Sequence, residues 1–216
     1  MTNSTRNYSK LDQLCISIDE ALRAVCGKAS TMKRPYPAGN TAEPELTDSE
    51  RKHIAGLMRV NHAGEVCAQA LYHGQGLVSR DPAIQQQMQA AAVEEGDHLA
   101  WCSQRLSELD SHTSYLNPFW YAGSFAIGVA AGCISDKCSL GFVAETESQV
   151  VKHLESHLAS LPEKDEKTQK ILQQMKNDEA EHRDEALEAG ATQLPEPVKK
   201  VMSWASKLMV KTAYWI

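Results

Sequence analysis

At 216 residues the chain is long enough for one sizeable domain with its own core. Apolar content of 42% and charged content of 23% are ordinary for a globular protein, and the scarcity of aromatics (3 Phe, 6 Tyr) beside abundant Ala, Gln, Glu and Leu favours helices over strands. A net charge of -6 argues against nucleic acid as a partner, but leaves room for a locally basic surface that meets a membrane.

The elements follow in chain order. The first residues lack an apolar run of the kind a secretory leader needs. Leu11, Leu14, Cys15, Ile18, Ala21, Leu22 and Val25 recur at helical spacing and predict a short amphipathic helix. Residues 31–46 hold Pro35, Pro37, Gly39 and Pro44, which reads as an extended linker or a strap over the surface. Thr47-Asp48-Ser49-Glu50 has the form of a capping box, opening a helix that should run to about Ser79. Asp81-Pro82 restarts the chain as N-cap and N1 of a second helix reaching about Leu109.

From Thr113 to Ser135 no residue is charged. Asn117-Pro118 reads as a further cap-and-Pro helix start. The 23 residues reach membrane-spanning length, but Gly123, Gly128, Gly132 and Asn117-Pro118 make a weak span. The expectation is a helix packed on a bundle, with apolar surface left for a lipid or a greasy ligand. Asp136-Lys137 is expected to break it. Helices from about Cys138 to Ser160 and from about Lys164 to Ala189 follow, the second stopped by Gly190. After Pro195 and Pro197 a last helix carries the stripe Val198, Val201, Met202, Ala205, Leu208, Met209 and Thr212, with Lys199, Lys200, Lys207 and Lys211 off it and Tyr214-Trp215 at its end. That pattern fits an interfacial anchor, and equally a helix whose stripe caps the core. The six cysteines (Cys15, Cys26, Cys67, Cys102, Cys133, Cys138) form no C-x-x-C pair, as expected of reduced, mostly buried thiols in a cytosolic compartment.

One arrangement occurs twice. Glu65 is followed by Glu95-Gly96-Asp97-His98, and Glu147 by Glu179-Ala180-Glu181-His182. Each leading glutamate falls in one helix and each Glu-x-x-His in the next, 30 and 32 residues later. On a helix, residues i and i+3 share a face, so Glu95 and His98 point at one spot, as do Glu179 and His182. Four carboxylates and two imidazoles facing inward from four helices make the di-iron or di-manganese site of a ferritin-like bundle. Oxygen-rich donors with one imidazole per metal suit iron or manganese better than zinc. A single Glu-x-x-His carries little weight, because Glu50-Arg51-Lys52-His53 also fits and Glu50 is accounted for by the capping box. The competing reading places the six residues on solvated faces. His62 reads either as a partner of a ligand or as a packed core histidine. His153 reads as a ligand- or substrate-orienting group or as a helix-surface histidine. Glu145, Asp97, Asp178 and Glu181 are flanking acids that read either as outer partners of the ligands or as solvated groups, Cys67 is expected in the core, and Ala63-Gly64 is expected to allow close helix packing.

The run Arg59-Val60-Asn61-His62-Ala63-Gly64-Glu65 resembles the demethoxyubiquinone hydroxylases, di-iron monooxygenases of ubiquinone biosynthesis. The likeness continues through Glu95-Gly96-Asp97-His98-Leu99, Asn117-Pro118-Phe119-Trp120, Ala144-Glu145-Thr146-Glu147 and Asp178-Glu179-Ala180-Glu181-His182. The resemblance implies an all-α, ferritin-like four-helix bundle with additional N-terminal, apolar and C-terminal helices. Residues 1–48 would form an N-terminal extension and linker, and 49–216 the di-iron hydroxylase domain. It implies two Fe ions per chain, one held by Glu65, Glu95 and His98 and the other by Glu147, Glu179 and His182, with Glu95 and Glu179 bridging. It further implies O2 as co-substrate and NADH as electron source for hydroxylating a 2-polyprenyl-3-methyl-6-methoxy-1,4-benzoquinone ring. A peripheral position on the cytoplasmic face of the bacterial inner membrane, contact with other ubiquinone-biosynthesis proteins and a homo-oligomer belong to the same expectation. A ferritin-like iron-storage or peroxide-scavenging protein uses the same ligands and is the alternative; a non-enzymatic helical module would bind no iron.

Overall fold

The computed structural model describes residues 10–26 and 32–216. Among them the chain forms helices α1 (Lys10–Cys26), α2 (Asp48–Val78), α3 (Pro82–Glu108), α4 (Asn117–Ile134), α5 (Asp136–Ser160), α6 (Glu166–Glu188) and α7 (Glu196–Ala213), and no strand. The local signals act where the sequence places them at α2 and α3, whereas Asn117 lies inside α4, whose N-cap is Leu116 with no side-chain capping bond. Thr47 caps α2 with a capping box, its backbone N–H donating to Glu50 Oε2 at 2.7 Å and its Oγ1 accepting from Glu50 N at 3.3 Å. Asp81 caps α3 with Pro82 in the first turn, its carboxylate accepting from Ala83 N at 2.9 Å.

The break between α4 and α5 is narrower than expected. Only Ser135 interrupts the helices, and it serves both: its N–H donates to Ala131 O and its hydroxyl accepts from Cys138 N. Asp136 opens α5 rather than ending α4. An acid is favourable in a first turn, and this carboxylate also accepts from Ser79 Oγ, Arg80 N and Asp81 N at the α2–α3 corner.

Helices α2 and α3 form one antiparallel hairpin and α5 and α6 another, and the two meet α2 against α5 and α3 against α6. Helix α4 carries the chain back along α2, so that it is the long crossover of a ferritin-like bundle built as a helix. Its contact with α2 is at backbone level. A Cβ on Gly74 would strike Phe125 O, one on Gly128 would strike Leu71 O, and one on Gly132 would meet Val78 Cγ2. Gly64 instead has open space, so close packing at the motif holds at buried Ala63 alone.

Two apolar clusters fill the bundle. One holds Ile54, Met58, Trp101, Leu106, Leu154, Ile171, Leu172 and Met175. The other holds Ala68, Tyr72, Met88, Ala92, Leu140, Val143 and Ala186. Each of the four bundle helices contributes to both, and between the two contributions it carries its Glu or Glu-x-x-His.

The outer helices leave apolar surface in water. On α4 the exposed positions include Phe119, Ile127 and Ile134, and on α7 Val201, Trp204 and Leu208. The α7 stripe therefore splits: Met209, with Val210 and Ala213 beside the stripe, meets Val60, Ala63 and Trp120, while Val201, Ala205 and Leu208 face out and Val198, Met202 and Thr212 are half-buried. Ile18 and Leu22 of α1 are exposed and Ala24 is buried; the side chains of Leu11, Leu14 and Cys15 lie outside the described residues. No helix among the described residues is long and apolar enough to cross a membrane. Among the described residues the cysteines are less buried than expected: Cys102 is buried, Cys67 and Cys138 are partly exposed, and Cys133 is exposed.

Replacing Gly128 with Ala should destabilise the protein by about 1–3 kcal/mol, because the new methyl meets a carbonyl that only a helix shift can move. Gly123→Ala, which enters open space, should stay within about 0.5 kcal/mol of the parent. Urea unfolding of the pair measures the difference.

Candidate metal centre

The six residues of the repeated pattern come together between the two apolar clusters. Glu65 enters from α2, Glu95 and His98 from α3, Glu147 from α5, and Glu179 and His182 from α6. None is more than 6% exposed. His98 Nδ1 lies 3.1 Å from Glu95 Oε2, 3.0 Å from Glu179 Oε1 and 3.7 Å from Glu65 Oε2. His182 Nδ1 lies 3.4 Å from Glu95 Oε1 and 3.5 Å from Glu179 Oε2. Glu95 and Glu179 thus each turn one oxygen to each histidine, the placement a bridging carboxylate needs. Glu65, Glu95, His98 and Glu179 offer donor atoms all within 4.8 Å of one another.

The cluster suits cations better than it suits itself. Glu95 Oε1, Glu147 Oε2, both oxygens of Glu179 and His182 Nδ1 are buried without a hydrogen-bond partner. Such orphans are costly in a dry interior. The donor set, oxygen-rich with one imidazole on each side, suits iron or manganese. Without metal the site holds protons in their place. Burial, then the neighbouring charges of Glu95 and Glu179, raise Glu65 well above the usual carboxylate range, and burial with Glu179 and Glu95 does the same to Glu147. Burial alone would lower both histidines, but the carboxylates overcome it. Asp178, Glu179, Glu65 and Glu95 hold His98 well above its ordinary value, and Glu179 and Glu95 push His182 up to about 12.

The outward faces of both imidazoles are also held. His98 Nε2 lies 2.8 Å from Asp178 Oδ2, and His182 Nε2 lies 3.3 Å from Glu94 Oε2. Carboxylates so placed fix the ring and its tautomer and raise its basicity. Tyr72, from α2, donates its hydroxyl to Glu147 Oε1 at 2.7 Å and sets its ring edge-on to His182. Of these outer residues the pattern named Asp178 only as a flanking acid and missed Glu94 and Tyr72. Helical spacing was the available signal, since Tyr72 lies seven residues beyond Glu65 on the same face. Arg34, from the strap, is a further omission: it pairs with Asp178 at 2.7 Å and lies over the Trp101 ring.

Other sequence candidates fall elsewhere. Glu145 is partly exposed and bonds Gln149 and Lys199, whereas Glu147 is fully buried. Glu50 serves its capping box and Lys164, and His53 Nδ1 meets Tyr214 Oη at 2.8 Å, so this third Glu-x-x-His has no part in the cluster. His62 is a packed histidine against Asn117, 3.3 Å away, and burial lowers its pKa to about 4. His153 is partly buried and sits with its ring centroid 3.9 Å from that of His157, which bonds Asn61. Arg59 clamps the carbonyls of His112 and Tyr214. Of the recognisable heptapeptide, Glu65 reaches the cluster, while Arg59, Asn61 and His62 make these packing contacts around it.

A family model for the ubiquinone biosynthesis protein COQ7 matches residues 52–213. A protein of Acinetobacter baumannii described as 3-demethoxyubiquinol 3-hydroxylase is 55% identical over 211 residues, covering 98% of this chain and 100% of its own. Proteins of the same description from Nitrosococcus oceani and Stutzerimonas stutzeri are each 55% identical, over 211 and 213 residues, covering 98% and 99% of this chain and 99% of their own.

The carboxylates that raise His98 and His182 well above the ordinary imidazole value favour their protonated forms, so metal entry competes with protons there. Fe(II) or Co(II) affinity should therefore rise with pH between 6 and 8, with protons released on binding. Calorimetry in buffers of different ionisation enthalpy counts those protons; an affinity independent of pH would contradict the arrangement.

Proposed function

The chain belongs to the family of the ubiquinone biosynthesis protein COQ7, and from that premise we propose that it hydroxylates the ring of a 2-polyprenyl-3-methyl-6-methoxy-1,4-benzoquinone, in its quinol or quinone form, with O2. One oxygen atom enters a ring C–H bond and the other leaves as water, with two electrons drawn ultimately from NADH. The observation that carries the reading is the buried cluster in which Glu95 and Glu179 each turn one oxygen to His98 and one to His182.

In this reading Glu65, Glu95 and His98 hold one metal and Glu147, Glu179 and His182 the other, with Glu95 and Glu179 shared. When bound, two irons supply the activation of O2. The remaining work is the chain's own. Asp178 and Glu94 orient the two imidazoles from outside. Tyr72 fixes Glu147 and holds a proton at its hydroxyl, which burial raises well above the ordinary phenol value. The apolar clusters on either side keep bulk water from the reacting atoms. The reading divides the chain into an extension and linker, 1–48, and the hydroxylase domain, 49–216. The iron-storage alternative gains nothing from the relatives, which are described as hydroxylases.

A polyprenyl tail resides in lipid, so the substrate reaches the site from a membrane surface. The exposed apolar residues of α4 and α7, helices that meet around Trp120, supply a face for it. Exposed Lys200, Lys207 and Lys211 complement anionic headgroups, while Lys199 is partly committed to Glu145. These features support reading the protein as a peripheral one on the cytoplasmic face of the inner membrane, working with other proteins of the pathway and as a homo-oligomer.

Iron-loaded protein given a short-tailed demethoxy substrate, a reductant chain from NADH and isotopically labelled O2 should yield product carrying one labelled oxygen. Glu179→Ala should abolish this while helicity survives; absence of product from the loaded parent would overturn the reading. Liposome flotation should weaken severalfold in a Phe119→Ser, Trp204→Ser double variant, and unchanged flotation would move the lipid contact elsewhere.

A further inference from the structure

The strap preceding α2 is fastened along the α3–α6 side of the bundle. Ala38 is buried in the core, Tyr36 Oη donates to Glu108, and Glu43 pairs with buried Arg105 at 2.8 Å and with Lys167 at 3.0 Å. Its first described residues reach the metal centre's outer side. Lys33 N donates to Asp97 Oδ1 at 2.7 Å. Arg34 Nη2 donates to Asp178 Oδ2 at 2.7 Å, the same oxygen that faces His98 Nε2, while Arg34 Nε lies 3.5 Å from Asp97 Oδ2. The guanidinium stacks 4.8 Å over Trp101, whose ring in turn lies 5.2 Å from that of His98.

We propose that Arg34 is a positioning residue for the His98 half of the metal centre, contributed by a strap that lies outside the residues matched by the family model. This rests on the reading of the six residues as metal ligands. A histidine on a cation keeps its proton on the far nitrogen and gives it to a carboxylate. Asp178 is that carboxylate, and it is only 7% exposed. A carboxylate so placed needs a countercharge to stay there. Arg34 provides it: its Nη2 bonds Asp178 at 2.7 Å, its Nε lies 3.5 Å from Asp97 without a hydrogen bond, and its face lies on Trp101. A lysine reproduces the charge but neither the fork nor the stacking. With Arg34 removed, Asp178 turns towards water and His98 loses its anchor.

The effect is one-sided. On the His182 half the outer carboxylate is Glu94, 45% exposed, and water screens its charge. Arg34 therefore acts on one of the two metal positions, the one whose donor atoms lie within 4.8 Å of one another.

The test is Co(II) titration of the full chain, followed by calorimetry and by the visible ligand-field bands. The parent should take up two Co(II). In Arg34→Ala one of the two sites should weaken about 10–100-fold, the loss typical of an outer-sphere partner, with its bands shifted and the second site unchanged. Arg34→Lys, which keeps the charge and guards against misfolding of the alanine variant, should fall between. Two sites of parental affinity and spectrum in Arg34→Ala would overturn the proposal, as would equal weakening of both sites, the mark of a general loss of structure. A parent that binds no stoichiometric metal would overturn the metal-centre reading itself, a result distinguishable from failure of the Arg34 assignment alone.

Discussion

Four carboxylates and two imidazoles share the dry middle of a helical bundle, and most of the structure answers to that constraint. Desolvating this many ionisable groups costs several kcal/mol per charge unless cations or protons compensate it. The bundle responds by bracketing them. Each of the four helices places apolar residues on both sides of its ligand positions, so the polar layer lies between two packed plugs. Those plugs supply the hydrophobic stabilisation that tolerates a strained centre, and they also keep water out of it.

The inner layer is supported by a second layer whose members come from wherever the fold passes. Asp178 and Glu94 lie next to ligands in sequence and turn outward from them to meet the far nitrogens of the opposite helix's histidine. Tyr72 comes from the same helix as Glu65 but serves Glu147 across the bundle. Arg34 comes from the strap. The two halves of the site are alike in their inner residues and unlike in their support, one backed by a nearly buried carboxylate with an arginine, the other by a carboxylate open to water.

The crossover joins the two helix hairpins and leaves an apolar outer face. A loop returning along α2 would leave unsatisfied backbone, so the chain returns as α4, which satisfies its own. Glycines at 74 and 128 let α2 and α4 touch backbone to backbone. One face of α4 is thereby spent on α2, and the opposite face, with no charged residue, is left for apolar surroundings. Helix α7 adds Val201, Trp204 and Leu208 to the exposed apolar surface.

The sequence by itself determined the helices, the caps of α2 and α3 and the six inward residues, because these depend on short-range rules: 3.6-residue periodicity, a capping box four residues long, and the i, i+3 relation within Glu95–His98 and Glu179–His182. It also separated the decoy at Glu50 and His53 from the pair that matters, because a capping box is local. Tertiary structure alone decided the rest. Ser135 reduces the expected break to one residue because Asp136 finds partners at a distant corner. Which face of α7 turns outward depends on its contact with Trp120 and Val60, not on its own stripe. Glu94 and Arg34 were silent in the sequence, because an exposed acid and a strap arginine acquire meaning only when another helix brings a histidine or an aspartate beside them. Local chemistry is written along the chain, whereas support for a buried site comes from groups many residues apart and exists only once the chain is folded.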